Sequence, residues 1–170
     1  ILLAVIIGIS QGSQPIIGFN YGARQYERVL GIYRLAITCN LIISGIGFLL
    51  FQLFPRQIIA LFGTGDALYF EFAIKFLRIF LFMVIINGVQ LISANFFAAI
   101  GKPVKGVVLS LTRQVFFLVP LILILPLVWG IEGIMLAGPI ADFAAFITTM
   151  ILIRREMGHI RAAQAEIEAA

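Results

Sequence analysis

The chain has 170 residues, 62% of them hydrophobic and 12% charged, with a formal net charge of +4 and a mean hydropathy of +1.11. A soluble domain is about 45–50% apolar and about 25% charged, and one of this size has too much surface to hide so much apolar content. That excludes an ordinary water-soluble domain and makes lipid the solvent for most of the surface. The basic residues flank apolar runs, so the positive charge reads as membrane topology rather than nucleic-acid binding.

A hydrocarbon core of about 30 Å needs roughly 20 apolar residues of helix, and five candidate spans follow. The first covers residues 1–23. Ile1 already lies in an apolar run, so the natural N-terminus is expected upstream; no basic segment or cleavage site makes this run a signal peptide. Its second half, SQGSQPIIGFNYGA (10–23), is polar and glycine-rich. Gln11, Gln14 and Asn20 are costly in hydrocarbon and are expected to face a protein interior or a water-filled cavity. Pro15 removes a backbone donor, freeing the carbonyl of Gln11, and predicts a kink. Gly8, Gly12, Gly18 and Gly22 allow close helix packing. Two readings stay open for this stretch: helix–helix glue, or a bent helix whose amides line a wet path.

The second span covers 35–54 and stops at Pro55. Asn40 and Ser44, at i and i+4 beside Gly45 and Gly47, read as packing groups. Cys39 is the single cysteine, so it forms no intramolecular disulfide and reads as a small buried or lipid-facing residue. Residues 55–65 are too few to span and read as an interfacial piece on the outer side. The third span covers 67–100, with its apolar part at 79–100 and an amphipathic lead-in at 67–78. The span also carries Ser93; at 100° per residue, Asn87, Gln90 and Asn95 share a broad side, with Gly88 beside them. This second polar stripe favours a cavity shared with the first span over isolated glue.

The fourth span covers 106–129, with Pro120 and Pro126 inside it and Arg113 near one end. Arg113 is expected to snorkel to the interface, a cavity role being the alternative. The fifth covers 131–153 and carries Asp142 near its midpoint, just after Pro139. A carboxylate at that depth must find a cation or several donors, or take up a proton. Asp142 is therefore the coupling candidate; the alternative is a carboxyl bonded to a neighbouring helix that never titrates. The tail, 154–170, reads as a polar helix in or near water, with His159 solvated.

Nine basic residues (Arg24, Arg28, Arg34, Lys102, Lys105, Arg113, Arg154, Arg155 and Arg161) fall on one side of this five-span topology, against Arg56, Lys75 and Arg78 on the other. The positive-inside rule then places the C-terminus in the cytoplasm. His159 and Cys39 are the sole residues of their types, so neither a metal site nor a thiol–imidazole pair is expected. Phosphate-binding loops are absent too, and the residues describe no enzyme. An odd number of spans without an internal repeat points to a part of something larger.

Three stretches carry a family resemblance: GISQGSQPIIGFNYGARQYERV (8–29), LISANFFAAIGKPVKGVVLSLTRQVFFLVPLILILP (91–126) and GIEGIMLAGPIADF (130–143). In order and spacing they resemble the second lobe of multidrug and toxic compound extrusion (MATE) transporters. The resemblance implies an all-α polytopic bundle that supplies helices eight to twelve of a twelve-helix, two-lobe protein. The first lobe and the seventh helix would then be its intramolecular partners. It also implies export of organic, often cationic compounds in exchange for protons or sodium, with no other cofactor, from a multi-pass protein of a bacterial inner membrane. By motif position Gln11, Gln14, Pro15, Asn20 and Tyr21 belong to the bent, cavity-side helix. Ala98 departs from the glutamine often found before AIGK. A flippase for a lipid-linked sugar precursor ranks second, since few cations (Arg113, Lys75, Arg78) are available for a large headgroup. A non-transporting membrane scaffold ranks third.

Overall fold

The computed structural model describes residues 2–60, 70, 73–74 and 84–169. The described residues form helices α1 (Leu2–Gly22), α2 (Tyr26–Leu53), the short α3 (Pro55–Ala60), α4 (Val84–Ala99), α5 (Pro103–Leu111), a π-helical segment (Thr112–Leu118) and α6 (Val119–Glu168). Among the described residues four stretches are long and apolar enough to cross a membrane: Leu2–Gly22, Tyr26–Leu53, Pro103–Gly130 and Leu136–Glu168. The third expected span, 67–100, is represented chiefly by α4. Most of its lead-in, with Glu71, Lys75 and Arg78, lies outside the described residues, as do Asp66 and residues 61–65 of the 55–65 segment.

The turns follow from local chemistry. α1 ends with Arg24 at φ 57° and a hydrogen bond from Gln25 N–H to Asn20 C=O. α4 ends in the same Schellman arrangement with Gly101 at φ 75°, where Lys102 N–H bonds to Phe97 C=O at 2.9 Å; glycine suits this left-handed position. Pro103 then occupies the first turn of α5, where its missing N–H is harmless. Inside α6, Gly130 adopts φ 57°, ψ −138° and breaks the helix into two limbs. A Cβ on Gly133 would collide with the Leu125 carbonyl, so the limbs fold back on each other as a tight hairpin.

α4 is the central helix and touches α1, α2, α5 and α6. Its Ile92, Phe96 and Phe97, with Ile100 in the turn that follows, meet Ile17 of α1, Val29, Tyr33 and Ala36 of α2, Leu109 of α5, and Ile153 and Ile160 of α6. The Tyr33 and Phe96 rings pack with centroids 4.7 Å apart. Buried polar groups join the same helices: Tyr33 Oη donates to Ser93 Oγ at 2.8 Å, since Ser93 Oγ itself donates to Val89 C=O. Asn40 is fully buried and accepts from Ser44 Oγ, with its side chain seated against the Cα of Gly88, as expected of a packing pair. Outside this core the surface is apolar, with Leu127, Phe19 and Phe116 among the most exposed side chains. That pattern is stable in lipid, where every backbone group is satisfied within a helix.

Two elements differ from expectation. α2 starts at Tyr26, nine residues before the expected span at 35, because its first turns carry Glu27, Arg28 and Arg34 beyond the apolar section. The tail is helical as expected, over residues 154–168, but it continues α6 without a break and buries Glu156 and Ile160.

Candidate functional site

Hairpin geometry brings two intramembrane charges together. Arg113 lies 17 residues before Gly130 and Asp142 lies 12 after it, so they stand at similar depth on adjacent limbs. Arg113 Nε donates to Asp142 Oδ1 at 2.5 Å, and Asn87 Nδ2 of α4 donates to Asp142 Oδ2 at 2.8 Å. Both carboxylate oxygens are thus satisfied, and Asp142 is buried. The snorkelling expected of Arg113 is therefore incorrect: its side chain is spent on the buried carboxylate rather than on the interface, and it is the partner that the sequence did not name for Asp142. Arg113 sits in the π-helical segment. One-turn π-segments are unusual insertions that recur at functional sites.

Beside this triad lies a polar cleft of about 170 Å³, whose walls include Asn87, Gln90, Ser110, Arg113 and Gln114. Gln90 is buried; its Nε2 donates to Leu109 C=O at 3.4 Å, while its Oε1 is buried with no partner among the described residues. Of the α4 stripe, then, Asn87 and Gln90 meet at the cleft. Asn95 turns away and donates to Ser10 Oγ of α1 at 2.7 Å.

The candidates on α1 are placed elsewhere. Gln11 is exposed and Gln14 half-buried, both on a helix that runs from Leu2 to Gly22 with Pro15 inside it. Asn20 is buried and donates its Nδ2 to Ile16 C=O at 2.8 Å, within its own helix. Tyr21 packs edge-on against Tyr26, ring centroids 5.5 Å apart, across the α1–α2 turn. None of these four polar residues lines the triad's cleft. Among the described residues no cluster of histidine, cysteine and carboxylate groups suits a metal ion.

A family model described as MatE matches residues 1–124. The chain belongs to the MatE family. The fold is similar to that of the MATE multidrug transporter DinF-BH, at 36% identity and a TM-score of 0.84, covering 91% of this chain and 34% of that one. It is similar in fold alone to an outward-facing MATE family transporter of the MOP superfamily, at 21% identity and a TM-score of 0.83, over 92% of this chain and 36% of that one. In sequence it is 25% identical to a FAD transporter of Shewanella oneidensis over 166 residues, which is 98% of this chain and 36% of the relative. The chain thus spans about a third of the length of the proteins it matches.

This MatE chain also carries a second ionic cluster, at the end of the hairpin away from Gly130. Glu156 of α6 is 1% exposed and accepts from Lys102 Nζ and, at 2.7 Å, from Lys105 Nζ. Lys105 also lies 5.8 Å over the Phe97 ring. Through its hydrogen bond, Glu156 holds the Lys102 ammonium above the ordinary lysine pKa. The cluster ties the α4–α5 turn to the tail. It was missed in sequence, although Glu156 shares a face with Ile153 and Ile160 at helical spacing. The Arg113–Asp142 pair also had a signal: Arg113 is the sole charge inside 106–129, and Asp142 lies deep in the next span.

Proposed function

We propose that this chain forms the greater part of one lobe of a secondary active exporter, which moves organic compounds outward in exchange for protons or sodium by alternating access. Membership of the MatE family supports transport over catalysis. The observation that carries the reading is the buried Arg113–Asp142–Asn87 triad beside a polar cleft. Charged groups within a bilayer are expensive, and they are typical of substrate and ion paths. Its partners in this reading are the lipid bilayer, small organic substrates, and the first lobe and seventh helix of the same protein. The membrane is a bacterial inner membrane, and the basic loops hold the C-terminus in the cytoplasm.

In the coupling cycle we assign to the triad, Asp142 takes up a proton and loses its charge. Arg113 is then no longer balanced and the cleft gains one positive charge. A cationic substrate is repelled, and the incoming proton drives its release. A second reading, export of an anionic flavin nucleotide, is favoured by the Shewanella FAD transporter as relative and by Arg113 on the cleft wall. Both are tested in energised everted vesicles holding the full-length transporter, with ethidium and FAD as substrates and the proton and sodium gradients collapsed in turn. Ethidium movement that follows the proton gradient and is lost in Asp142→Asn, with ethidium binding weakened because the neutral side chain leaves Arg113 unbalanced, supports the first reading. FAD movement without ethidium movement supports the second. Movement of either compound unaffected by Asp142→Asn removes this acid from coupling.

A further inference from the structure

We propose that Asn87 is the specificity-determining residue of the cleft, and that its side-chain amide relays the protonation state of Asp142 to the substrate. While Asp142 is ionised, the Asn87 carbonyl accepts an N–H of a cationic substrate. When Asp142 takes up a proton, the amide reverses and presents a donor instead. This rests on the transport reading above and names its substrate class, organic cations that carry N–H groups.

The orientation of the amide is dictated by its partner. An ionised carboxylate only accepts, so Asn87 must turn Nδ2 to Asp142 Oδ2, at 2.8 Å. The amide oxygen then points the other way. Among the described residues Asn87 Oδ1 makes no hydrogen bond, and the buried side-chain N or O atom left without a partner there is Gln90 Oε1 alone. Asn87 Oδ1 is therefore accessible, on a half-buried side chain that lines the cleft. An acceptor on this wall is what a substrate N–H needs, since the neighbouring guanidinium only donates.

Protonation inverts this arrangement. Arg113 Nε donates to Asp142 Oδ1 at 2.5 Å and has no acceptor to offer, so the added proton sits on Oδ2, facing Asn87. Two donors then oppose each other across the same 2.8 Å contact. A half-turn of the Asn87 amide about its last torsion, which is soft and roughly two-fold, removes the conflict. Oδ1 then accepts from the carboxylic acid, and Nδ2 turns to the cleft. Among the described residues no other side-chain bond holds Asn87 in place. The substrate loses its acceptor and meets a donor just as the unbalanced Arg113 repels its charge. Arg113 is the charge bonded to Asp142; α1, α4, residues 35–53 of α2 and residues 119–130 of α6 carry none, and Lys105 of α5 is engaged by Glu156. The cleft, at about 170 Å³, admits the amino end of a substrate.

The test uses the full-length transporter in nanodiscs and two fluorescent cations of equal charge. They are rhodamine methyl ester, whose amino groups carry N–H, and its tetramethyl derivative, which has none. The parent protein should bind the N–H dye about tenfold more tightly, the value of one hydrogen bond. In Asp142→Asn, Arg113 still claims the side-chain carbonyl, so the new amide turns its N–H groups to Asn87 as the protonated acid does. Both dyes should then bind more weakly, and the preference should vanish. Asn87→Leu should abolish the preference too. A packing role for Asn87 would change both affinities together and leave their ratio alone. Equal binding of the two dyes by the parent would overturn the inference, as would a preference that persists in either variant. The parent and Asp142→Asn decide the matter even where Asn87→Leu fails to fold. Dye efflux from energised vesicles separates the two levels: efflux with no N–H preference refutes the relay alone, whereas efflux of neither dye refutes the transport reading.

Discussion

Glu156 and its two lysines give an asymmetry that can be worked from burial. Glu156 is 1% exposed, whereas the Lys102 and Lys105 side chains are 36% and 44% exposed. Removing the acid, as in Glu156→Met, frees two ammonium groups that turn into water, at a cost of about 1 kcal/mol. Removing both lysines, as in Lys102→Met with Lys105→Met, leaves a carboxylate buried without a counter-charge, at a cost of about 3–5 kcal/mol. Combining all three substitutions should recover most of that loss, since an apolar replacement for a buried ion cluster is often neutral. SDS-titration unfolding of the full-length protein measures each variant, and the set closes as a mutant cycle. The Lys102 contribution has a definite pH sign. Its pKa is raised in the fold, so the stabilisation is complete below the unfolded value of about 10.4 and is lost only as pH rises through the folded one. On the lysine side the cluster should therefore be unchanged between pH 6 and 9. Equal costs for the acid and the lysine variants, or a triple variant no better than the lysine pair, would refute the reasoning.

Two further predictions concern backbone approach. A Cβ on Gly106 would stand 2.5 Å from the Ala94 carbonyl, so Gly106→Ala must push α5 off α4. A loss of about 1–3 kcal/mol in the same unfolding assay is expected, with ligand binding at the adjacent cleft weakened. Arg24 holds φ 57°, a conformation that costs a side chain about 1–2 kcal/mol. Arg24→Gly should therefore raise stability, by up to about 1 kcal/mol after the glycine's own entropy.

Much of the fold could be read from the sequence because lipid imposes few choices. Span length and apolar runs fix roughly where the helices lie, although Pro15, Pro126 and Pro139 fall inside helices, and the Gly101-Lys102-Pro103 turn falls where those residue types require it. The polar residues were harder, because a helical stripe tells which side a residue faces but not which neighbour it meets. Asn87, Gln90 and Asn95 share a broad face, yet Asn87 meets Asp142 on α6 and Asn95 meets Ser10 on α1. Asn20, polar within an apolar span, satisfies itself on its own helix. Arg113 was misread because snorkelling is a property of one side chain, whereas its ion pair depends on the Gly130 hairpin that sets residues 113 and 142 side by side. The Glu156 cluster was missed for the opposite reason, since a polar composition conceals an acid seated on an apolar face.

The central claim is that the cleft beside Arg113 and Asp142 lies on the substrate path, and cysteine accessibility tests it most directly. Ser110 and Gln114 line the cleft and are exposed. Each is replaced by cysteine in a cysteine-free full-length transporter, with Cys39→Ser among the background changes, and the rate of reaction with a charged thiosulfonate is followed. The account predicts that both positions react from the aqueous side and that transported substrate slows the reaction in proportion to its occupancy. Reaction rates that substrate leaves unchanged at both positions would contradict it and return the triad to a structural role.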